Sequence, residues 1–274
     1  MPASLDAIYY FMEKTWTDQL GNILRIPFPP HRIISLVPSQ TELLFDLGLD
    51  AYIVGVTKFC IHPGEKIKSK TRIGGTKKFK LDFIRGLKPD LIIGNKEENY
   101  PEGIAALQQD FPVWMSDIIT LEDAYAMMIA LARITDREEM GLRIIEEIKS
   151  KFRAILPFTK SNRVAYLIWK NPYMAAASGT FINEMLLACG LTNVFSDQTR
   201  YPEVSLDKII TANPDLLFLS SEPYPFSENH VEEFQSQLPD SKIVLVDGEF
   251  FSWYGSRLLL APDYFNSLRL AIVV

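Results

Sequence analysis

Aromatic and charged residues are concentrated directly after several short apolar runs of this sequence. Exposed aromatic rings are unfavourable in water unless they cover something, and rings interleaved with Glu, Asn and Arg suit a large, flat, amphipathic ligand. Packing of the same rings against their own loops is the simpler alternative for any one of them. The segments are Phe59-Cys60, 95–100 (NKEENY), 169–173 (WKNPY), 222–226 (EPYPF) and 249–254 (EFFSWY).

The whole set favours a binding site, because ligands of open α/β sheets bind outside the carboxyl ends of the strands. Twelve ligand-binding candidates follow: Phe59, Lys77, Asn95, Glu97, Trp169, Glu222, Tyr224, Glu249, Phe250, Trp253, Tyr254 and Arg257. Lys77 begins a basic loop (KKFK) after Gly74-Gly75, which either attracts an anionic group or is a solvated turn. Arg257 offers a planar fork to an anionic group, or holds Glu249 or Glu222 in place. A surface arginine at the start of the last helix is the alternative.

Catalytic signatures are missing from the sequence. No phosphate-binding glycine loop, nucleophile elbow or HExxH zinc motif occurs, and none of the three histidines lies near a plausible nucleophile in sequence. Cys60 and His62 could share a metal, but a buried thiol beside a loop imidazole is favoured. We therefore expect no catalytic residues, no resident metal and no catalytic cofactor.

Composition narrows the class of protein further. The 274 residues are 47% apolar, and the net charge of −6 argues against a nucleic-acid or membrane-surface partner. Two cysteines cannot form a disulfide framework. No apolar run approaches the 18 residues of a membrane span. The N-terminus shows no signal peptide, so a complete chain would stay in the cytoplasm, whereas a processed one would not.

The elements that must position the candidates are short, β-branched apolar runs separated by helical patterns. Such runs are typical of strands buried on both faces of a parallel sheet, so the sequence predicts an α/β fold. The predicted strands are Ile33–Val37, Tyr52–Val56, Leu91–Ile93, Val113–Met115, Val164–Ile168, Leu216–Leu219 and Ile243–Val246.

An internal repeat divides the chain into two similar lobes. Residues 81–91 match 206–216, 42–49 match 184–191, and 113–117 match 243–247, in the same order; Glu97 pairs with Glu222 in the same way. A capping box at Thr135–Glu138 opens a helical pattern that runs to Pro157 between the copies. We predict two Rossmann-like lobes, 1–134 and 158–274, joined by one long helix over 135–157. Residues 1–30 form an irregular or hairpin lead-in.

Residues 32–42 (RIISLVPSQTE) resemble the opening of the ABC-importer binding proteins that have a helical backbone. Val54-Gly-Val56, residues 87–92 (LKPDLI) and the linking helix agree with that family over roughly residues 16–270. The resemblance is closest to the vitamin B12-binding branch, in which Phe59 matches a tyrosine against the corrin and residues 249–251 match Asp-Trp-Phe. Thr76 stands where that branch has a tryptophan.

The resemblance implies a monomeric solute receptor that captures a metal chelate in a cleft between two lobes. The chelate would be cobalamin, a ferric siderophore or haem, and it would pass to the membrane subunits of an ABC importer. Asp82 and Asp207 match the glutamates that dock on those subunits, although a helix-cap role explains both residues equally well. The family implies a periplasmic or cell-envelope location. An intracellular enzyme, a chaperone or a ligand-sensing protein on the same scaffold is the alternative.

Overall fold

The computed structural model describes residues 12–158 and 163–273, and these residues form the predicted α/β fold. Each of the seven apolar runs contains a strand, because its β-branched side chains are buried among helices. The strands are β1 (Met12–Thr17), β2 (Ile23–Phe28), β3 (Ile33–Ser35), β4 (Ile53–Val56), β5 (Leu91–Asn95), β6 (Val113–Ser116), β7 (Arg163–Trp169), β8 (Met174–Ala175), β9 (Thr192–Asn193), β10 (Leu216–Ser220) and β11 (Lys242–Val246).

Helices separate most of the strands, as expected for a chain built from strand–helix–strand units. The helices are α1 (Pro38–Asp46), α2 (Gly64–Lys68), α3 (Leu81–Leu87), α4 (Pro101–Gln108), α5 (Leu121–Ile134), α6 (Glu138–Phe152), α7 (Phe181–Ala188), α8 (Leu206–Ala212), α9 (Glu228–Gln237), α10 (Glu249–Ser252) and α11 (Ala261–Val273), with 3-10 turns at Asp50–Tyr52 and Ser256–Leu259. No helix in the described ranges has the length and apolar content that a membrane crossing requires.

Two compact units share these elements. The first contains the described residues up to Asp117 together with Met127–Gly141, and the second contains Ile118–Ala126 and the described residues from Leu142 onward. The sheet of the first unit is parallel, with the order β4-β3-β5-β6. In the second unit the order is β11-β10-β7-β8, with β9 also paired to β7, and only β8 is antiparallel. The lead-in contains the antiparallel hairpin β1–β2.

The helix predicted over 135–157 is shorter in the structure, where α6 begins at Glu138 and ends at Phe152. Asp136 has a φ of 58°, a left-handed conformation that interrupts a right-handed helix. The hydroxyl of Thr135 donates to the carbonyl oxygen of Leu131 at 2.7 Å, so this residue closes α5 and does not cap α6.

The sequence repeat corresponds to a structural repeat. Helices α3 and α8 each begin at the repeated Leu-Asp pair, and each ends at a left-handed residue, Lys88 (φ 46°) and Asn213 (φ 44°). Strands β5 and β10 follow at the repeated leucines. A left-handed residue at this position ends the helix and turns the chain into the next strand.

An arginine at the start of the first strand of each unit's main sheet is part of the repeat. In the first unit, Nη2 of Arg32 donates to the carbonyl oxygen of Leu87 at 2.6 Å, at the end of α3. The carboxylate of Asp90 accepts the backbone N–H groups of His31 and Arg32 at 2.7 and 2.8 Å. Carbonyl groups at the end of a helix and backbone N–H groups at the start of a strand are thereby paired.

The second unit repeats this arrangement. Nη2 of Arg163 donates to the carbonyl oxygen of Ala212 at 2.6 Å, at the end of α8, and Asp215 accepts the backbone N–H of Arg163 at 3.0 Å. We refer to Arg32–Asp90 and Arg163–Asp215 as the two arginine clamps. Both clamps lie at the amino ends of the strands, and each fixes one strand, β3 or β7, to the helix that precedes the neighbouring strand, β5 or β10.

Candidate functional site

A buried carboxylate organises the carboxyl end of the sheet in the second unit. Glu222 follows β10, and its Oε1 accepts the indole N–H of Trp253 at 2.8 Å and the hydroxyl of Ser252 at 2.9 Å. Burial raises the pKa of Glu222, and the neighbouring carboxylates of Glu249 and Asp247 raise it further against the effect of the two hydrogen bonds. One carboxylate oxygen thus fixes the orientation of the indole.

Gly248 makes the position of Glu222 possible. A Cβ atom at residue 248 would lie 2.7 Å from Cγ of Glu222 and 2.5 Å from the hydroxyl oxygen of Ser220. Real side chains do not tolerate such distances. The absence of a side chain between β11 and α10 therefore lets Glu222 lie across this connection.

Arg257 is a buried residue that lies among the predicted ligand-binding side chains. Only 7% of it is exposed, and its Nη1 lies 3.5 Å from Oε2 of Glu249. Its guanidinium carbon is 5.4 Å from the ring of Trp253 and 6.0 Å from that of Phe250. The alternative of a surface arginine is wrong, and the interpretation in which Arg257 holds Glu249 agrees with the geometry. Phe250 in turn stacks on Tyr264 with centroids 4.4 Å apart.

A second aromatic group lies on the neighbouring loops of the same unit. Trp169, the last residue of β7, is 39% exposed and packs edge-on against Tyr224 at 5.7 Å. Tyr224 also contacts Phe226 at 4.8 Å and His230 at 5.6 Å. Together with Glu222, Glu249, Phe250, Trp253 and Arg257, these side chains form what we call the aromatic end of the second unit.

Tyr254 is one of the predicted contacts that are buried in the structure, as are Asn95, Trp253 and Arg257. It is 6% exposed and packs edge-on against Phe181 of α7 at 5.8 Å. Within 249–254, the side chains of Phe251, Trp253 and Tyr254 are buried and the others are half-buried. Sequence alone did not separate these two groups.

In the first unit, Phe59 lies in the loop after β4 and is 49% exposed. The ammonium group of Lys58 is 4.8 Å from the centroid of this ring. Both side chains lie over Gly75, since a Cβ there would be 3.3 Å from Phe59 and 3.6 Å from Lys58. The backbone N–H of Lys58 donates to the carbonyl oxygen of Gly74 at 2.7 Å. The two glycines thus form a flat support for an exposed ring and a cation.

The basic loop adds further positive charge beside this support. Lys77, Lys78 and Lys80 are exposed, and the backbone N–H of Gly75 donates to the carbonyl oxygen of Lys78 at 2.9 Å. Within residues 12–158 and 163–273, no carboxylate lies within 4 Å of the ammonium groups of these three lysines or of Lys58. Their charge is therefore not neutralised by an ion pair in the described part of the chain.

Asn95 supports the neighbouring loop from inside. It is 2% exposed, its Nδ2 donates to the hydroxyl of Ser116 at 3.0 Å, and its Oδ1 accepts the backbone N–H of Glu97 at 2.8 Å. Gln40 also donates to Ser116, and Asn99 accepts the backbone N–H of Asn95 at 2.9 Å. This buried polar network, which sequence reasoning missed, positions the half-buried Glu97 at the loop surface. Its only signal in the sequence was polar residues at the ends of apolar runs.

The two aspartates at the repeated helix starts are both exposed. The side chain of Asp82 is 99% exposed and lies 3.1 Å from Nη1 of Arg85. Asp207 lies in the first turn of α8, where the hydroxyl of Ser205 accepts the backbone N–H of Lys208 and so caps the helix. Neither aspartate accepts the capping hydrogen bond of its helix, but both lie in the first turn, where the helix dipole favours a carboxylate.

Cys60 is buried between the hydroxyls of Thr41 and Thr57, each 3.2 Å from its sulfur, and burial raises the pKa of the thiol. Among the described residues, no three His, Cys, Asp or Glu side chains are grouped closely enough to hold a metal ion. The Cys60–His62 pair therefore does not extend into a ligand set there.

Comparison with known proteins agrees with the resemblance. The Periplasmic binding protein family matches residues 33–241, so the chain belongs to that family. It is 29% identical over 204 residues to the vitamin B12-binding protein of Vibrio cholerae, which covers 73% of this chain and 74% of that protein.

Two solved structures share the fold. A possible iron-binding periplasmic solute-binding protein from Staphylococcus epidermidis has a TM-score of 0.76 and 25% identity, over 90% of this chain and 100% of that one. The haem-binding protein RhuT from Roseiflexus sp. RS-1 has a TM-score of 0.74 and 23% identity, over 88% and 97% of the two chains. The predicted family and fold class are confirmed.

Proposed function

We propose that this protein is a solute receptor that binds a metal chelate and delivers it to an ABC importer. Family membership and the vitamin B12-, iron- and haem-binding relatives support the class of ligand. The observation that carries the proposal is the aromatic end of the second unit, where Glu222, Arg257 and Glu249 hold the rings of Trp253 and Phe250 in place.

The chemistry of these groups suits a chelate with a flat organic skeleton. Ring faces provide apolar contact area at little conformational cost. Arg257 lies beside Glu249, so its positive charge is compensated next to the rings of Trp253 and Phe250. In the first unit, Phe59 provides another exposed ring and the lysines provide charge for an anionic substituent. We assign Asn95 and Tyr254 supporting roles behind these contacts.

Delivery needs a surface that the importer recognises. Asp82 and Asp207 are exposed carboxylates at equivalent positions of the repeat, and we propose that they dock on basic residues of the membrane subunits. The family works outside the cytoplasmic membrane, so we propose a periplasmic or cell-envelope location and a monomeric receptor. Cell fractionation and light scattering test these two points.

The experiment that tests the function is direct. The protein as purified is examined by visible spectroscopy and mass spectrometry, and is then titrated with cyanocobalamin, haemin and a ferric tris-catecholate. Binding is followed by quenching of tryptophan fluorescence and by calorimetry. Binding of one of the three at micromolar concentration or below supports the proposal. A folded protein that binds none of them overturns it.

A further inference from the structure

Tyr224 is connected to the start of helix α9 through His230. The backbone N–H of Ser227 donates to Nδ1 of His230 at 3.0 Å, and the hydroxyl oxygen of Ser227 lies 2.9 Å from the same nitrogen. On the other side of the ring, Nε2 lies 3.3 Å from the hydroxyl oxygen of Tyr224. His230 is the third residue of α9, so its side chain completes the capping box that Ser227 begins.

These contacts fix which nitrogen carries the hydrogen. A backbone N–H donates only to a nitrogen with a free lone pair, so Nδ1 of His230 is unprotonated and the neutral ring carries its hydrogen on Nε2. That hydrogen faces the oxygen of Tyr224, which therefore accepts. The hydrogen of the Tyr224 hydroxyl is left for another acceptor, and residues 12–158 and 163–273 provide none for it.

The position of this hydroxyl connects it with the proposed ligand site. Tyr224 is half-buried, lies two residues after Glu222, and packs edge-on against the exposed ring of Trp169. A hydroxyl on such a surface, with its hydrogen committed to no protein group, favours an oxygen acceptor on whatever covers the rings.

We propose that His230 is a positioning residue that makes the Tyr224 hydroxyl a hydrogen-bond donor to an acceptor oxygen of the ligand. The ligand class is a chelate with carboxylate, phenolate or amide carbonyl oxygens at its edge. This inference rests on the proposed function, because it concerns the same surface.

A second proton on His230 is incompatible with these hydrogen bonds. A doubly protonated imidazole has a hydrogen on Nδ1, which would face the N–H of Ser227, so the capping bond is lost and the support of Tyr224 weakens. Glu233, three residues further along the same helix, is a charged neighbour of His230. It pairs with Lys170 of the β7–β8 connection and accepts the hydroxyl of Tyr173.

The tautomer is tested without any ligand. The chain has three histidines, so long-range ¹H–¹⁵N correlation spectra of the intact protein at pH 8 are simple, and the loss of one set of signals in His230→Gln assigns them. A hydrogen on Nε2 supports the inference. A hydrogen on Nδ1 overturns it, whether or not the proposed function holds.

Two substitutions of His230 separate positioning from mere capping, because Gln and Glu both complete a capping box at this position. Gln can still donate an N–H to Tyr224, whereas Glu can only accept and so turns the hydroxyl away from the ligand. Using whichever of the three chelate probes the wild type binds most tightly, we expect His230→Gln to stay within about threefold of wild-type affinity at pH 8. His230→Glu and Tyr224→Phe should each weaken binding about tenfold, the equivalent of one hydrogen bond.

A matched control completes the comparison at pH 8. Glu232→Gln, at an exposed position of the same helix, should behave like the wild type. Equal affinities of the His230→Gln and His230→Glu variants overturn the inference. Failure of the wild type to bind any probe overturns the proposed function, and the ligand part of this inference with it.

Discussion

Trp253 donates its indole N–H to Oε1 of Glu222 across 2.8 Å, and this bond joins the loop after β10 to the end of helix α10. The carboxylate is largely removed from water, so burial raises its pKa. Ionised Glu222 therefore carries a desolvation cost in the folded protein, which its two hydrogen bonds offset only in part. The same group that orients the indole is a source of instability at neutral pH.

Replacing this charge while keeping the acceptor should not destabilise the protein. In Glu222→Gln the amide oxygen still accepts from Trp253 and Ser252, so we expect stability at pH 7.5 to be unchanged or about 1 kcal/mol higher. The pKa of Glu222 is higher in the folded protein than in the unfolded chain. The stability of the wild type therefore increases as the pH falls through the folded-state pKa, and the increase is complete below about 4.3, the pKa of an unperturbed glutamate. The difference between the two proteins should therefore vanish near pH 4, as measured by urea denaturation. Glu222→Leu, which removes the acceptor, should cost about 1–3 kcal/mol at both pH values; equal losses in the Gln and Leu variants would contradict this account.

Phe59 and Phe83 form a matched pair of exposed rings in the first unit, at 49% and 46% exposure. Phe59→Ala should weaken chelate binding by about 1–2 kcal/mol, because the ring would lose apolar area that the ligand covers. Phe83→Ala, on helix α3, should leave the affinity unchanged. Calorimetric titration distinguishes the two, and a similar effect of both substitutions would remove Phe59 from the site.

The basic loop should distinguish ligands by charge. Changing Lys77 and Lys78 together to Gln should weaken binding of an anionic probe, haemin or the ferric tris-catecholate, by about 1 kcal/mol at low salt, and less at higher salt. Binding of uncharged cyanocobalamin should not change. Lys208→Gln, at another exposed lysine, is the control. A loss that is equal for charged and uncharged probes would show that the loop acts by shape.

Docking is tested by charge reversal at both repeated aspartates. Asp82→Lys with Asp207→Lys should abolish uptake of the chelate by cells that carry the cognate importer, because like charges would then meet on the docking surface. Chelate affinity and thermal stability should change little, since both side chains are exposed. The matched control is Asp46→Lys with Asp240→Lys, at two other exposed aspartates. Normal uptake by the double variant would exclude the docking role.

Local patterns predicted the fold well because burial on both faces of a strand requires a continuous apolar run. All seven runs became strands, and the repeat located α3 and α8 together with the strands that follow them. The break at Thr135–Arg137 was missed because the sequence does not show whether Thr135 caps the following helix or closes the preceding one. A left-handed Asp136 has no signal in an apolar pattern.

The sequence predicted which residues belong to the candidate site but not the contacts between them. Aromatic residues after strands indicated the aromatic end, but the bond between Glu222 and Trp253 joins residues 31 apart in sequence and depends on the pairing of β10 with β11. Asn95 and Tyr254 were assigned to the ligand because a polar or aromatic residue in a loop looks the same whether it faces outward or supports the loop. In the structure both residues are buried, at 2% and 6% exposure, and we therefore propose that they support the loops.

The two arginine clamps have a consequence for how such a receptor can change its cargo. Arg32 and Arg163 fasten each unit at the amino ends of its strands, whereas Phe59, Glu222 and Glu249 lie after the carboxyl ends of β4, β10 and β11. Folding and selectivity therefore depend on different edges of each sheet. The two units could keep the same clamps while their loops diverged, the first acquiring lysines and the second carboxylates. Loops from a receptor with a different ligand could likewise be grafted onto this fold without disturbing the clamps.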